Sequence, residues 1–211
     1  MPTSIYHITH TRNLKSIFQS GGLIANSRLR QRQIKYQDIA HGHIQDRRGL
    51  TRVPCAAHGC LHDYVPFYFA PRSPMLYAIH KGNVEDYAEG QNPVIYLVYE
   101  AETIVANKLI FTFTDGHAVI AYSEFYDDLQ RLDMIDWEIM SADFWGNTQE
   151  DGDRKRRRQA EFLVHQFCPL TLIKEIGVIN NTLQKKVREI LQDFNYQIPI
   201  RVYSNWYYSN Y

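Results

Sequence analysis

The residues able to build a core in this chain come in short runs, rich in aromatic and β-branched side chains and separated by polar stretches. Ser4 to His10, Tyr64 to Ala70, Val94 to Tyr99, Leu109 to Phe113, Leu172 to Ile179 and Ile198 to Tyr203 each read as a strand. Helical periods lie between them: Leu14, Ile17 and Phe18 after an N-cap at Thr11; Met75 to His80 behind Pro71 and Pro74; and Phe125, Leu129 and Leu132 within Tyr122 to Trp137. Leu183, Val187, Ile190, Leu191 and Phe194 stripe one more helix. Strands mixed irregularly with short helices, without repeat or linker, predict an α+β fold.

No apolar run approaches the length of about 18 residues that a membrane span requires, so no membrane association is expected. With 211 residues, 45% of them hydrophobic, the chain suffices for one sizeable core, and a single domain over 1–211 is expected. Lys plus Arg and Asp plus Glu both number 23, so the formal net charge is zero and any polyanion site must be local. Cys55, Cys60 and Cys168 cannot all pair within one chain, and the N-terminus has no charged and apolar leader pattern. A cytoplasmic protein is the expectation. Fifteen Tyr and ten Phe could serve a core, a base-stacking surface or a pocket for a flat heterocycle equally well.

Asn26 to Asp63 is polar and without sustained period, a length that is usually functional inside a compact domain, and it reads as a ligand loop. Ser141 to Arg158 reads as a second loop, ending in Arg154-Lys155-Arg156-Arg157-Arg158 and feeding the strand that begins near Glu161. Three places carry candidate chemistry. His7 shares a strand face with Thr9. Taken alone, such a histidine is more often a hydrogen-bonded structural residue than a ligand. Tyr68-Phe69-Ala70 with Tyr77 behind it can be core, or can set an aromatic ring where a heterocycle stacks. Glu161 enters an apolar strand straight after five cations, where a carboxylate is partly desolvated and beside anion-attracting charge. A carboxylate so placed suits cleavage of a glycosidic bond, whose oxocarbenium-like transition state it stabilises.

His7 on the first strand, Tyr68 to Ala70 with Tyr77, and Glu161 on a late strand resemble the His-Tyr-Glu arrangement of poly-ADP-ribose-polymerase-like ADP-ribosyltransferases. A longer series is similar to the DarT family: Tyr6 to His10 with Asn13-Leu14, His43 to Arg48, Asp63 to Phe69, Pro71 to Tyr77, Phe113-Thr114-Asp115 with His117, and Gln159 to Val164. The resemblance implies an ADP-ribosyltransferase-like fold of central split mixed β-sheets flanked by short helices. It also implies a toxin-type mono-ADP-ribosyltransferase that moves ADP-ribose from NAD to thymine in single-stranded DNA. That activity releases nicotinamide, needs no metal, and is opposed by a macrodomain antitoxin that removes the adduct.

Carried onto this chain, the resemblance implies that His7, Ile8 and Thr9 hold the nicotinamide amide and its ribose, with Tyr77 stacked on the ring. Asn13, Leu23, His43, Tyr68 and Phe69 would complete the NAD pocket. Glu161 would orient and stabilise the reacting sugar. Arg48 would serve both NAD and the acceptor base; because its pKa exceeds about 12, electrostatic help to the departing proton suits it better than proton acceptance. Residues 26–52 would cover NAD, and about 114–160 would recognise DNA. Within that second segment, His117 would be a DNA contact, Phe144 and Trp145 the stacking aromatics, and the cations at 154–158 the phosphate contacts. The run Cys55 to His62 has no counterpart in the family pattern and is too cramped for the usual zinc sites, so it is expected to be a loop.

Two other enzyme readings and one binding reading compete: an ADP-ribosyltransferase acting on protein or RNA or on a DNA base other than thymine, a metal nuclease using Asp127-Asp128 and Glu150-Asp151, and a noncatalytic nucleic-acid-binding module. Acceptor choice separates the first, and NAD cleavage separates the last.

Overall fold

The computed structural model describes residues 2–209. β1 (Ser4–His10) leads into α1 (Leu14–Gln19), β2 (Gly22–Ile24), α2 (Asn26–Gln31) and α3 (Gly42–Leu50). Next come β3 (Tyr64–Tyr68), α4 (Pro74–His80), β4 (Val94–Glu100), α5 (Ala101–Ala106), β5 (Phe111–Thr114) and the short β6 (Phe125–Tyr126). The chain continues through α6 (Trp137–Ser141), α7 (Arg154–Arg157), β7 (Glu161–His165), β8 (Phe167–Pro169), β9 (Glu175–Val178), α8 (Asn181–Leu191) and β10 (Ile200–Val202).

Eight strands form one sheet in the order β10-β9-β4-β1-β3-β7-β5-β6, and β2 pairs with β8 apart from it. The sheet is mixed because β10 runs parallel to β9 while its other neighbours are antiparallel. β4 is buried on both faces: Ile95, Leu97 and Tyr99 join the core under α1 and α8, and Val94, Tyr96 and Val98 join the core under α4.

The sheet is split at its centre. β1 pairs with β4 along its whole length, from Ser4↔Glu100 to His10↔Val94, and β3 pairs with β7 from Tyr64↔His165 to Tyr68↔Glu161. β1 and β3 keep only the Tyr6↔Tyr68 pairing. Pro66 gives a physical reason. In a strand, one residue's N–H and C=O point to the same neighbour, and the Pro66 carbonyl faces β1, where His7 Nδ1 lies 2.8 Å away. The N–H that would have joined β3 to β1 is the one proline lacks. A side chain replaces the missing ladder.

Three local expectations are corrected. Thr11 does not cap α1; His10 Nδ1 accepts from Arg12 N–H, and a 3-10 turn over Thr11–Asn13 comes first. Tyr122 to Trp137 is not one helix. Phe125 pairs with Thr114, and Asp128 and Asp136 accept from Gln130 N–H and Ile139 N–H, local bonds that compete with helix propagation. The polar segments are not plain loops either: α2 and α3 lie within 26–52, and α7 within 141–158. α2, α3 and α7 bury no residue, so no apolar stripe announced them.

Arg158, 5% exposed, fastens α6 to the turn after β3. Its guanidinium donates to Ile139 O at 2.7 Å, to Met140 O, and to Pro71 O at 2.7 Å, tying the end of that helix to the turn. Arg158→Leu is expected to destabilise by about 2–4 kcal/mol, lowering Tm by roughly 5–15 °C, because Met140 O and Pro71 O lose their charged donor in a buried place. Exposed Lys155→Ala is expected to cost under about 0.5 kcal/mol. Thermal unfolding of the two variants checks the contrast; similar Tm values for both would overturn it.

Candidate active site

The split opens a cavity of about 610 Å³. Because β3 and β7 lie between β1 and β5 in the sheet, the lining falls into two halves. On the β1 side are His7, Ile8, Thr9, Asn13 and Leu23; on the β5 side are His117, Ile120, Tyr122, Asn147, Lys155 and Gln159. Tyr68, Glu161 and Arg48 stand between them, with Arg48 reaching in from α3.

Glu161 is the first residue of β7 and is 3% exposed. Arg48 Nη1 donates to its Oε2 at 2.7 Å, and Ala118 N–H donates to its Oε1 at 3.2 Å. Its own N–H donates to Thr114 Oγ1 at 3.1 Å, so β5 and the turn that follows hold the carboxylate from two directions. Arg48 Nη2 is buried and meets no acceptor among the described residues. A buried guanidinium with a spare donor is costly unless a ligand completes it.

α3 is held by polar contacts: Arg47 donates to Val119 O at 3.0 Å, and Gln45 Oε1 lies 3.2 Å from His62 Nε2. His62 ends the Cys55-to-His62 run, which therefore supports the arginine helix. Among the described residues, no group of three His, Cys, Asp or Glu is gathered to hold a metal.

On the other half, Asn13 donates to Thr9 Oγ1 at 3.0 Å and to Gln37 O at 2.9 Å, and accepts from Gln37 N–H at 2.6 Å. It ties Gln37, within 26–52, to β1. Since a carbonyl only accepts, His7 must carry its proton on Nδ1, leaving Nε2 as an acceptor. Burial pushes the His7 pKa down to about 4. Burial also lowers that of His117 and, with Glu161 next, raises that of Tyr68. His7, His117 and Tyr68 are thus neutral at pH 7 beside the Arg48–Glu161 ion pair.

His7, Ile8, Thr9, Asn13, Leu23, His43, Arg48, Tyr68, His117, Lys155, Arg156 and Glu161 all line the cavity. Tyr77 does not: its ring packs against Trp145, Tyr208 and His80, so the expected stacking place is not where the helix carries it. Phe69 is core, against Phe113, Trp137 and Phe162. Trp145 gives its Nε1–H to Tyr208 Oη, and Phe144 is exposed outside the lining.

The cationic run is also reassigned. Arg156 pairs with Asp115 and Asp153, Arg157 with Asp136 and Asp151, and Arg158 is buried. Arg154 donates to Phe144 O and Gly146 O. These arginines close the loop on itself, and Lys155 is the member that stays exposed at the cavity. The sequence reading missed Tyr122, which it placed at the start of a helix; Tyr122 lines the cavity and is 67% exposed.

A buried carboxylate held against a guanidinium thus lies between the two halves of one cavity. The family model described as "ssDNA thymidine ADP-ribosyltransferase, DarT" matches residues 6–208. A DNA ADP-ribosyl transferase of Thermus aquaticus is 46% identical over 210 residues, covering 99% of this chain and 90% of the relative. The solved structure of Thermus sp. 2.9 DarT in complex with ADP-ribosylated ssDNA superposes with a TM-score of 0.92 at 42% identity, covering 98% of this chain and 97% of that one. The same protein in complex with NAD+ gives 0.88 at 39% identity, covering 98% of each. A Thermosipho africanus protein, 23% identical over 198 residues, is named a DNA ADP-ribosyl transferase-DNA ADP-ribosyl glycohydrolase fusion; the match covers 93% of this chain and 47% of that one. The chain belongs to the DarT family of ssDNA thymidine ADP-ribosyltransferases. No helix among the described residues is long and apolar enough to cross a membrane.

One pH effect follows from His7. Folded, it stays neutral down to about pH 4; unfolded, it takes up a proton near 6.5. Between those values the unfolded chain binds more protons, so the stability linked to His7 is complete above about pH 6.5 and is lost as the pH falls towards 4. His7→Gln, whose amide can still donate to Pro66 O, is expected to remove this loss, which is on the order of 2–3 kcal/mol near pH 4. Urea unfolding of both proteins from pH 7.5 to 4 measures it; a difference between them that does not change with pH would overturn the assignment.

Proposed function

We propose that this chain transfers ADP-ribose from NAD to a thymine in single-stranded DNA, with the β1 half of the cavity as donor pocket and the β5 half as acceptor pocket. The observation that carries the reading is the Arg48–Glu161 pair lying between the halves. The bond from the nicotinamide nitrogen to ribose C1′ breaks, nicotinamide leaves with the electron pair, and thymine's one ring N–H nitrogen bonds to C1′ and releases its proton. Positive charge spreads over the ribose in between, and Glu161 faces it with negative charge. The spare Nη2 of Arg48 meets the anionic diphosphate or the thymine as its N–H is lost. His7 Nε2 and Thr9 Oγ1 orient the nicotinamide amide and ribose, with Ile8, Leu23 and Tyr68 as walls. Residues 26–52 cover NAD and about 114–160 recognise DNA, with His117 and Lys155 at the acceptor.

A transferase that marks its host's DNA acts as a toxin in the cytoplasm, where NAD and DNA meet. Its antitoxin partner would be a macrodomain protein that removes the adduct, a pairing supported by the glycohydrolase fused to the Thermosipho africanus relative.

Glu161→Gln is expected to keep the fold and most NAD affinity while lowering transfer by on the order of 10²-fold or more, because the carboxylate acts chiefly on the transition state. Arg48→Ala is expected to lower transfer more than NAD binding. The check is incubation with NAD and one thymine-containing strand, alone and annealed to its complement, followed by mass spectrometry. The single strand should be labelled strongly and the duplex weakly, since unstacking a paired base costs a few kcal/mol. Equal labelling of both forms, or an adduct on RNA or protein alone, would mean a different acceptor.

A further inference from the structure

Resting on the acceptor assignment above, we propose that Tyr122 is a stacking platform for the base adjacent to the target thymine. The turn that leaves β5 supplies Ala118 N–H to Glu161 and then carries Tyr122, so the ring is tied to the reacting carboxylate by a few residues of backbone. Its hydroxyl donates to Asp153 Oδ1 at 3.3 Å, fixing one edge. The Arg156 guanidinium lies 5.0 Å from the ring centroid and backs one face. At 67% exposure, the remaining surface of the ring is open at the cavity. An exposed aromatic is ordinary; one held in place on two sides at a cavity wall is a built surface.

The backing is itself rigid. Arg156 Nε and Nη2 reach Asp153 at 2.8 Å each, and Nη1 reaches Asp115 at 2.9 Å and Ser123 Oγ at 3.1 Å. A Cβ built on Gly116 would meet Arg156 Nη1 at 2.3 Å, so the turn closes tightly around the guanidinium. With its charge matched by two carboxylates, Arg156 has little left for a phosphate, and its role is to hold and polarise the ring. The occupant that fits is a nucleobase of the substrate strand. Once the thymine is turned in toward Glu161, its neighbour loses a stacking partner, and a planar ring at the rim replaces it. The adenine of NAD fits less well, because the donor half lies across β3 and β7 from this turn.

The test uses fluorescence anisotropy with a labelled strand containing one thymine, in which each flanking nucleotide is replaced in turn by an abasic residue. Binding is read with the Glu161→Gln protein, so that no turnover occurs, with and without Tyr122→Leu. One flanking abasic position is expected to weaken binding to the Tyr122 protein about tenfold and to have almost no effect on the Tyr122→Leu protein. Tyr122→Phe should restore the penalty, since it keeps the ring and loses the hydroxyl. Equal penalties at every position in both proteins, or rescue by Leu as good as by Phe, would overturn the platform. Transfer is measured separately in the chain with Glu161 intact: labelling without Tyr122 dependence sinks the platform alone. Tyr122-dependent binding without labelling keeps the platform and sinks the transfer reading.

Discussion

The structure depends on keeping one carboxylate charged where water scarcely reaches it. Burying an ion pair rarely stabilises a fold, because the desolvation of both partners must be offset by good geometry and further hydrogen bonds. Glu161 obtains them from Arg48, from Ala118 N–H and from the exact start of a paired strand at the edge of the split. The other partner comes from α3, a helix with no buried residue of its own. The pair is therefore an element of the scaffold as well as of the site, joining to the sheet a helix that buries none of its own residues fully.

Several of the groups that hold the elements around this pair are polar yet neutral. Asn13 ties Gln37 to Thr9, and Gln45 and His62 tie α3 to the run after Cys55, all by uncharged groups. A second buried charge here would compete for Arg48. Likewise, burial holds His7 and His117 neutral, so neither repels Arg48 nor draws Glu161 away from it. The β1–β3 split, bridged by His7 and Pro66, then supplies room for a ligand where a continuous ladder would have filled it.

Much of the frame was legible in the sequence because strands leave a local mark. β1, β3, β4, β7 and α8 all lie within segments whose apolar pattern announced them. Glu161 was legible for the same reason, as a carboxylate at the head of an apolar strand. What escaped was everything held by side-chain hydrogen bonds. α2, α3 and α7 bury nothing, so periodicity is silent about them; Asp128 and Asp136 break a helix that hydrophobic spacing alone predicts. Family resemblance implied separate roles for Arg48 and Glu161; their pairing was not legible, because it depends on how α3 is docked. Tyr122 had no local signal at all, because its significance lies in Arg156 behind it.

The cationic run shows most clearly why charge cannot be read without its partners. Five consecutive cations beside a catalytic-looking glutamate suggest a phosphate track, yet the neutral net charge already requires that most cations have acidic counterparts somewhere. In the fold those counterparts are close at hand: Asp115, Asp136, Asp151 and Asp153 take Arg156 and Arg157, and backbone carbonyls take Arg154 and Arg158. On the acceptor assignment proposed above, a strand of DNA would meet one exposed lysine and an open tyrosine ring more than a field of positive charge. On that assignment, such electrostatics would neutralise few phosphates and release few counterions, so recognition would depend on ring contacts and on the fit of a single base near Glu161. The arginines do their work one step back, fixing the loop that presents those contacts.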